Sequence, residues 1–158
     1  MKTKTRKPVI CLLLGLFFYT STFLSAQAQQ PQIEEMSQEE IGQEQLNEVR
    51  DMANKILTQM AEGSYFTFNE ENAIPMVVQQ LDENAQKQAY SQIQAQLGDY
   101  QSDLEFKEAY KMSQGPQKMK IYRFQSDFSK ATSEVRLVYT EDEKLAGLLV
   151  LPWNDKFR

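Results

Sequence analysis

An α+β fold, with N-terminal helices packed on a curved antiparallel sheet of about four strands, is predicted by three observations. Apolar residues recur at helical spacing through the first half of the chain, and beyond Gly98 they alternate. The links between the alternating runs are short, which implies an antiparallel meander. Helices followed by such a meander segregate to one face of the sheet.

The first helix opens at Ser37, which has Glu40 three residues on, the pattern of a capping box. Leu46, Val49, Ala53, Ile56, Leu57 and Met60 form its core stripe, Glu44, Asn47, Glu48, Asp51 and Lys55 its solvated face, and Gly63 its end. Asn69 is a good N-cap for a short helical segment, in which Pro75 marks a start or a kink. Asp82 opens the next helix, where Ala85, Ala89, Tyr90, Ile93 and Leu97 share a face and Gly98 supplies the stop.

Strand character begins with Leu104, Phe106, Tyr110 and Met112 on alternate positions, closed by the turn Ser113-Gln114-Gly115-Pro116. A second strand runs from about Met119 to Phe128. The third, Thr132 to Thr140, sets Val135, Leu137 and Tyr139 against Glu134, Arg136 and Val138. After the turn Glu141-Asp142-Glu143-Lys144, the run Leu145 to Leu151 is apolar on both faces, which predicts a central or covered strand. Pro152 closes it.

Ahead of this domain, Lys2, Lys4, Arg6 and Lys7 precede an apolar run from Val9 through Leu24, and Ala26-Gln27-Ala28 follows. Positive, apolar and small-x-small segments in that order predict a cleavable signal peptide over 1–28 and an exported protein, periplasmic or secreted. Residues 29–40 are polar and Gln-rich, and predict a flexible leader; residues 41–158 form the single α+β domain. Cleavage removes four of the 17 basic side chains and none of the 22 acidic ones. The remaining acidic domain repels nucleic acid and anionic membrane surfaces, and no stable membrane anchor is expected after cleavage.

The only cysteine, Cys11, leaves with the signal, and the chain has no histidine. Disulfides, Ser-His or Cys-His nucleophiles and His/Cys zinc sites are therefore closed to it. The acidic runs, such as Glu141-Asp142-Glu143, lack the spacing of a calcium loop, so no metal or cofactor is expected.

The helix running into Leu97-Gly98-Asp99-Tyr100, the strand after it, and the closing Glu143-Lys144-Leu145-Ala146-Gly147-Leu148 together resemble a family. Its members are small, uncharacterised exported bacterial domains of cystatin-like, NTF2-like fold, found alone or ahead of secreted α/β-hydrolases. The resemblance covers roughly residues 44 to 153, and no hydrolase is expected beyond Arg158. It implies a long helix cradled by a bent sheet, with a cone-shaped cavity between them. In such a strand Gly147 would suit a sharp bend or close backbone approach, or simply relieve crowding.

Candidate site residues follow from this frame. Relatives of the fold include ketosteroid isomerase and scytalone dehydratase, which place acids or histidines in the cavity. Here Glu108 is the one acid whose alternation with Phe106 and Tyr110 aims it inward as a weak catalytic candidate, with Arg123 and Arg136 as ion-pair partners. Tyr110, Tyr122, Tyr139 and Trp153 are candidates to line a ligand or partner surface, although most aromatics of a domain this size fill its core. The expected function is a non-catalytic binding or protein-interaction domain, using the cavity or a sheet face for a protein partner or a small apolar ligand, or forming a homodimer. The alternatives are a small cavity lyase or isomerase working by carboxylate acid–base chemistry, and an accessory or inhibitory factor of a secreted hydrolase.

Overall fold

The computed structural model describes residues 31–157, so the expected signal peptide lies outside the described residues. Ser37 caps its helix as predicted: Ser37 Oγ accepts from the Glu40 N–H at 3.4 Å, and Glu40 Oε2 accepts from the Ser37 N–H at 2.9 Å. The single helix expected here is two. Helix α1 (Gln38–Ile41) ends after one turn at Gly42, whose φ of 68° and ψ of 132° interrupt the helical ladder, and α2 (Gln43–Glu62) restarts beyond it. All six predicted core residues of α2, from Leu46 to Met60, are buried, and Gly63 closes the helix in the left-handed region with its N–H on Met60 O.

Asn69 caps a turn rather than a helix: its Oδ1 accepts from the N–H groups of Glu71 and Asn72 at 3.0 and 3.1 Å. Helix α3 (Pro75–Gln80) begins at the proline itself, where a missing N–H costs nothing. Asp82 caps α4 (Glu83–Leu97) by accepting from the Ala85 N–H at 2.8 Å. Gly98 follows with φ 88°, and a β-carbon there would stand 2.1 Å from Ser129 Oγ. That close approach is used, because Lys130 N–H donates to Leu97 O at 2.9 Å and Asp99 N–H to Ser129 Oγ at 2.9 Å.

The sheet has five strands among the described residues, one more than expected, in the order β1 (Gln32–Glu35), β2 (Tyr100–Gln114), β3 (Gln117–Phe128), β4 (Ala131–Thr140), β5 (Leu145–Pro152). Every pairing between these strands is antiparallel, and one isolated parallel bridge joins Ala73 to Leu145 of β5. The added strand comes from the segment predicted to be a flexible leader. Its four side chains are all exposed, so it is held by backbone pairing with Tyr110–Ser113 and by buried Met36 beyond it, whose N–H donates to Ala109 O at 2.8 Å. The other difference concerns β5, which stands at the opposite edge rather than in the centre.

Helices α2 and α4 cover one face of the sheet. Ala109, Tyr122, Phe124, Val135, Leu137 and Leu145 meet them in the core. The apolar area withdrawn from water in this layer is the main driving force for the fold.

Candidate binding surface

Strand β2 contains a bulge between Phe106 and Glu108: Phe106 stands opposite Phe124, and Glu108 opposite Arg123, one position along β3 for two along β2. Lys107 is the extra residue, and after it the alternation inverts. Leu104, Phe106 and Ala109 face the helices, whereas Glu108 and Tyr110 face away from them. Glu108 is therefore not aimed at the helix–sheet interior as its spacing from Phe106 predicts. A second bulge, between Val138 and Tyr139, does the same to β5, where Leu145 meets the core directly and Gly147 lies opposite Val138.

On the face away from the helices, Glu108, Arg123, Arg136 and Leu149 form one row across four strands. Arg123 and Arg136 are direct neighbours, and Glu134 lies between their charges: Arg123 Nη2 is 2.8 Å from Glu134 Oε2, and Arg136 Nε donates to Glu134 Oε1 at 2.7 Å. Arg123 also pairs with Glu108 and donates to the carbonyl of Asn154. Burial works against the Arg123 charge, but the bonds to Glu134 and Glu108 outweigh it, and its pKa is raised. The segment beyond β5 roofs this row. Trp153 lies over the Arg123 guanidinium at 4.5 Å, Phe157 lies over that of Arg136 at 4.5 Å, and Tyr110 stacks on Phe157 at 4.1 Å.

The predicted aromatic candidates thus separate. Tyr110 and Trp153 belong to the roofed outer face, where Tyr110 donates to Glu108 and Trp153 Nε1 donates to Asp155 at 3.0 Å. Burial, then the bond to Glu108, raises the Tyr110 hydroxyl pKa. Tyr122 and Tyr139 belong to the core and meet edge to face at 6.0 Å. Burial, then the Glu143 charge, pushes Tyr122 up to about 12, and its hydroxyl has no hydrogen-bond partner among the described residues. Burial also raises Tyr139, with Tyr122 and Glu48 adding to it. The four do not converge on one site.

Between the helices and β5 runs an apolar crevice lined by Ile56, Leu57, Met60, Phe68, Leu148 and Val150 among others. Its volume is about 20 Å³, room for about one water molecule, and no carboxylate lines it. Gln86 is the polar side chain in its wall, and its amide is committed: it accepts from Phe66 N–H at 3.0 Å and donates to Phe66 O and Leu81 O at 2.9 and 2.7 Å. A larger hollow of about 360 Å³ beside residues 63–68 is open to solvent and is bordered by Asp82 and Glu83.

The two β5 residues of this crevice, Leu148 and Val150, belong to the last strand of the sheet. Trp153 N–H donates to Thr132 O at 3.3 Å, which fixes the phase of the ladder. Antiparallel alternation then turns the backbone groups of Leu149 and Leu151 toward β4 and those of Leu148 and Val150 outward. Near the start of the strand the edge is covered, since Ile74 N–H donates to Leu145 O and Leu145 N–H to Asn72 O, each at 3.0 Å. From Leu148 to Leu151 no strand pairs with it among the described residues, and these four apolar side chains are only half-buried. The sequence shows the apolar run but not its position at an edge; Glu134, the acid that joins the two arginines, was legible only as a polar residue of its strand.

Comparison with known proteins gives no match to any family model, curated protein or solved structure.

Proposed function

We propose that the chain is an exported, non-catalytic protein-interaction domain that binds through the free edge of β5, a partner strand adding to its sheet. The observation that carries this reading is the contrast within β5. It is apolar on both faces, as a central strand is, yet it ends the sheet with the backbone groups of Leu148 and Val150 facing outward. Exposed apolar edges are liabilities that folded proteins blunt with charge, proline or a cover, and strand addition is a recurrent way to use one. Nothing charged occurs between Leu145 and Leu151, and proline enters only at the last residue of the strand, Pro152.

The long α2 against a bulged antiparallel meander supports a cystatin-like, NTF2-like assignment. The crevice between them is too small for a ligand of ordinary size, which favours the edge over a cavity as the binding surface. Export is supported by the charge and hydropathy pattern of residues 1–28.

The test is native mass spectrometry with hydrogen exchange on protein isolated from its own host. The expected result is an assembly in which the Leu148 and Val150 amides exchange slowly. A bare monomer whose two amides exchange at the rate of an open edge would overturn the reading.

A further inference from the structure

We infer that the strand seated on β5 is β5 of a second copy of this chain, joined antiparallel about a twofold axis; this rests on the edge reading above and names its partner. Three observations select this occupant. The first is that β5 supplies what it lacks. In antiparallel pairing, opposed side chains fall on the same face, so a partner must be apolar toward both the crevice and the outer face. Leu148 and Val150 face the helices, Leu149 and Leu151 face away, and a second β5 offers the same two rows in reverse order.

The second is charge. The chain carries 22 acidic against 17 basic side chains, so two copies have like net charge and a neutral patch is the least opposed place for them to join. The stretch from Leu145 to Leu151 is neutral, and the charges of the turn before it, Glu141 to Lys144, lie outside the open segment Leu148–Leu151. The opposite edge is different: β1 presents Glu34 and Glu35, and joining two such edges would set carboxylates against one another.

The third is closure. With one edge open only along Leu148–Leu151 and the other edge acidic, copies join only β5 to β5, which gives a closed pair instead of a filament. Leu149 lies near the axis, with Leu148 of one copy opposite Val150 of the other, and the helical layers of both copies fall on the same side of one continuous sheet. The crevice walls formed by Leu148 and Val150 then lie along the seam.

Light scattering of the purified protein over a range of concentrations tests this, with hydrogen exchange at Leu148 and Val150. The expected result is a dimer whose two amides gain protection as it forms. Leu149→Lys, which brings two ammonium groups together at the axis, raises the dissociation constant at least tenfold while the circular dichroism spectrum is unchanged, and Glu34→Lys on the far edge leaves it unaltered. A monomer at every concentration, or a dimer whose Leu148 and Val150 amides exchange as they do in the monomer, would overturn the inference. A monomer when pure, together with edge protection by a different protein in host-derived material, overturns the second-copy inference alone and leaves the edge reading standing.

Discussion

The guanidinium of Arg123, fully buried, lies 4.5 Å from the centre of the Trp153 ring, on the sheet face that carries no helix. A cation so placed is held by two carboxylates below and an aromatic roof above. Trp153→Ala removes the stacking and lets water reach the charge. The expected loss is about 1–2 kcal/mol, the range for a desolvated cation–π contact, read from urea melts.

Removing the cation itself is worse. Arg123→Ala leaves Glu134 buried with only Arg136 beside it, and breaking one side of a buried pair costs about 3–5 kcal/mol. The same melts should show Arg123→Met recovering part of that loss when combined with Glu134→Leu, since the deeply buried carboxylate leaves with its cation and the two charges that lose a partner, Glu108 and Arg136, are the more exposed ones. A double variant no more stable than Arg123→Ala would show that the layer contributes more than charge pairing.

Glu40 joins α1 to β2. Hydrogen bonds from Lys111 and from Ser37 lower its pKa from the ordinary 4.5 to about 2. A carboxylate depressed in the folded state stabilises it above its unfolded pKa, and that contribution disappears as pH falls from about 4.5 toward 2. Amide exchange in β1 and α1 should therefore accelerate across this window before the rest of the sheet responds. Glu40→Gln should abolish the pH dependence.

Two glycines should behave in opposite ways. At Gly98 a β-carbon meets Ser129 Oγ at 2.1 Å and the φ is 88°, so Gly98→Ala should destabilise by about 1–3 kcal/mol. At Gly147 the φ is ordinary and the nearest atoms are those of Val138 at 3.9 Å, so Gly147→Ala should stay within about 0.5 kcal/mol. Neither a close backbone approach nor a crowded site explains Gly147. Thermal melts of the pair decide both.

Tyr122→Phe should be neutral or stabilising by up to about 1 kcal/mol. The hydroxyl is buried without a partner among the described residues, and deleting such a polar group recovers its desolvation cost. A marked loss of stability would mean that a bound water satisfies it.

The helices were legible in the sequence because their signals are redundant: the stripe from Leu46 to Met60 and the cap at Asp82 each read the same way from periodicity and from end chemistry. Gly42 was not, since a single glycine within a helical pattern does not say whether the helix continues. The faces of β2 were misread at Lys107, because a bulge built without glycine leaves the residue types looking alternate while the backbone slips by one. Strand β1 carried no signal at all. Its order comes from backbone pairing to β2, and Gln32, Glu34 and Glu35 have the composition of a solvated tail. The position of β5 lay beyond reach for another reason: an apolar run states that a strand is to be covered, and says nothing about which molecule covers it.

Arg123 has an assembly order written into it. Glu108 precedes it in the chain, Glu134 follows, and the carbonyl of Asn154 lies 31 residues downstream. Glu108 and Glu134 can both meet the cation once β2, β3 and β4 have paired, whereas the contact to Asn154 closes only when the segment beyond β5 has folded back over the sheet. The charged row is thus the last part of the sheet to be enclosed, and a chain truncated before residue 153 would keep its helical stripes while its outer face stayed open.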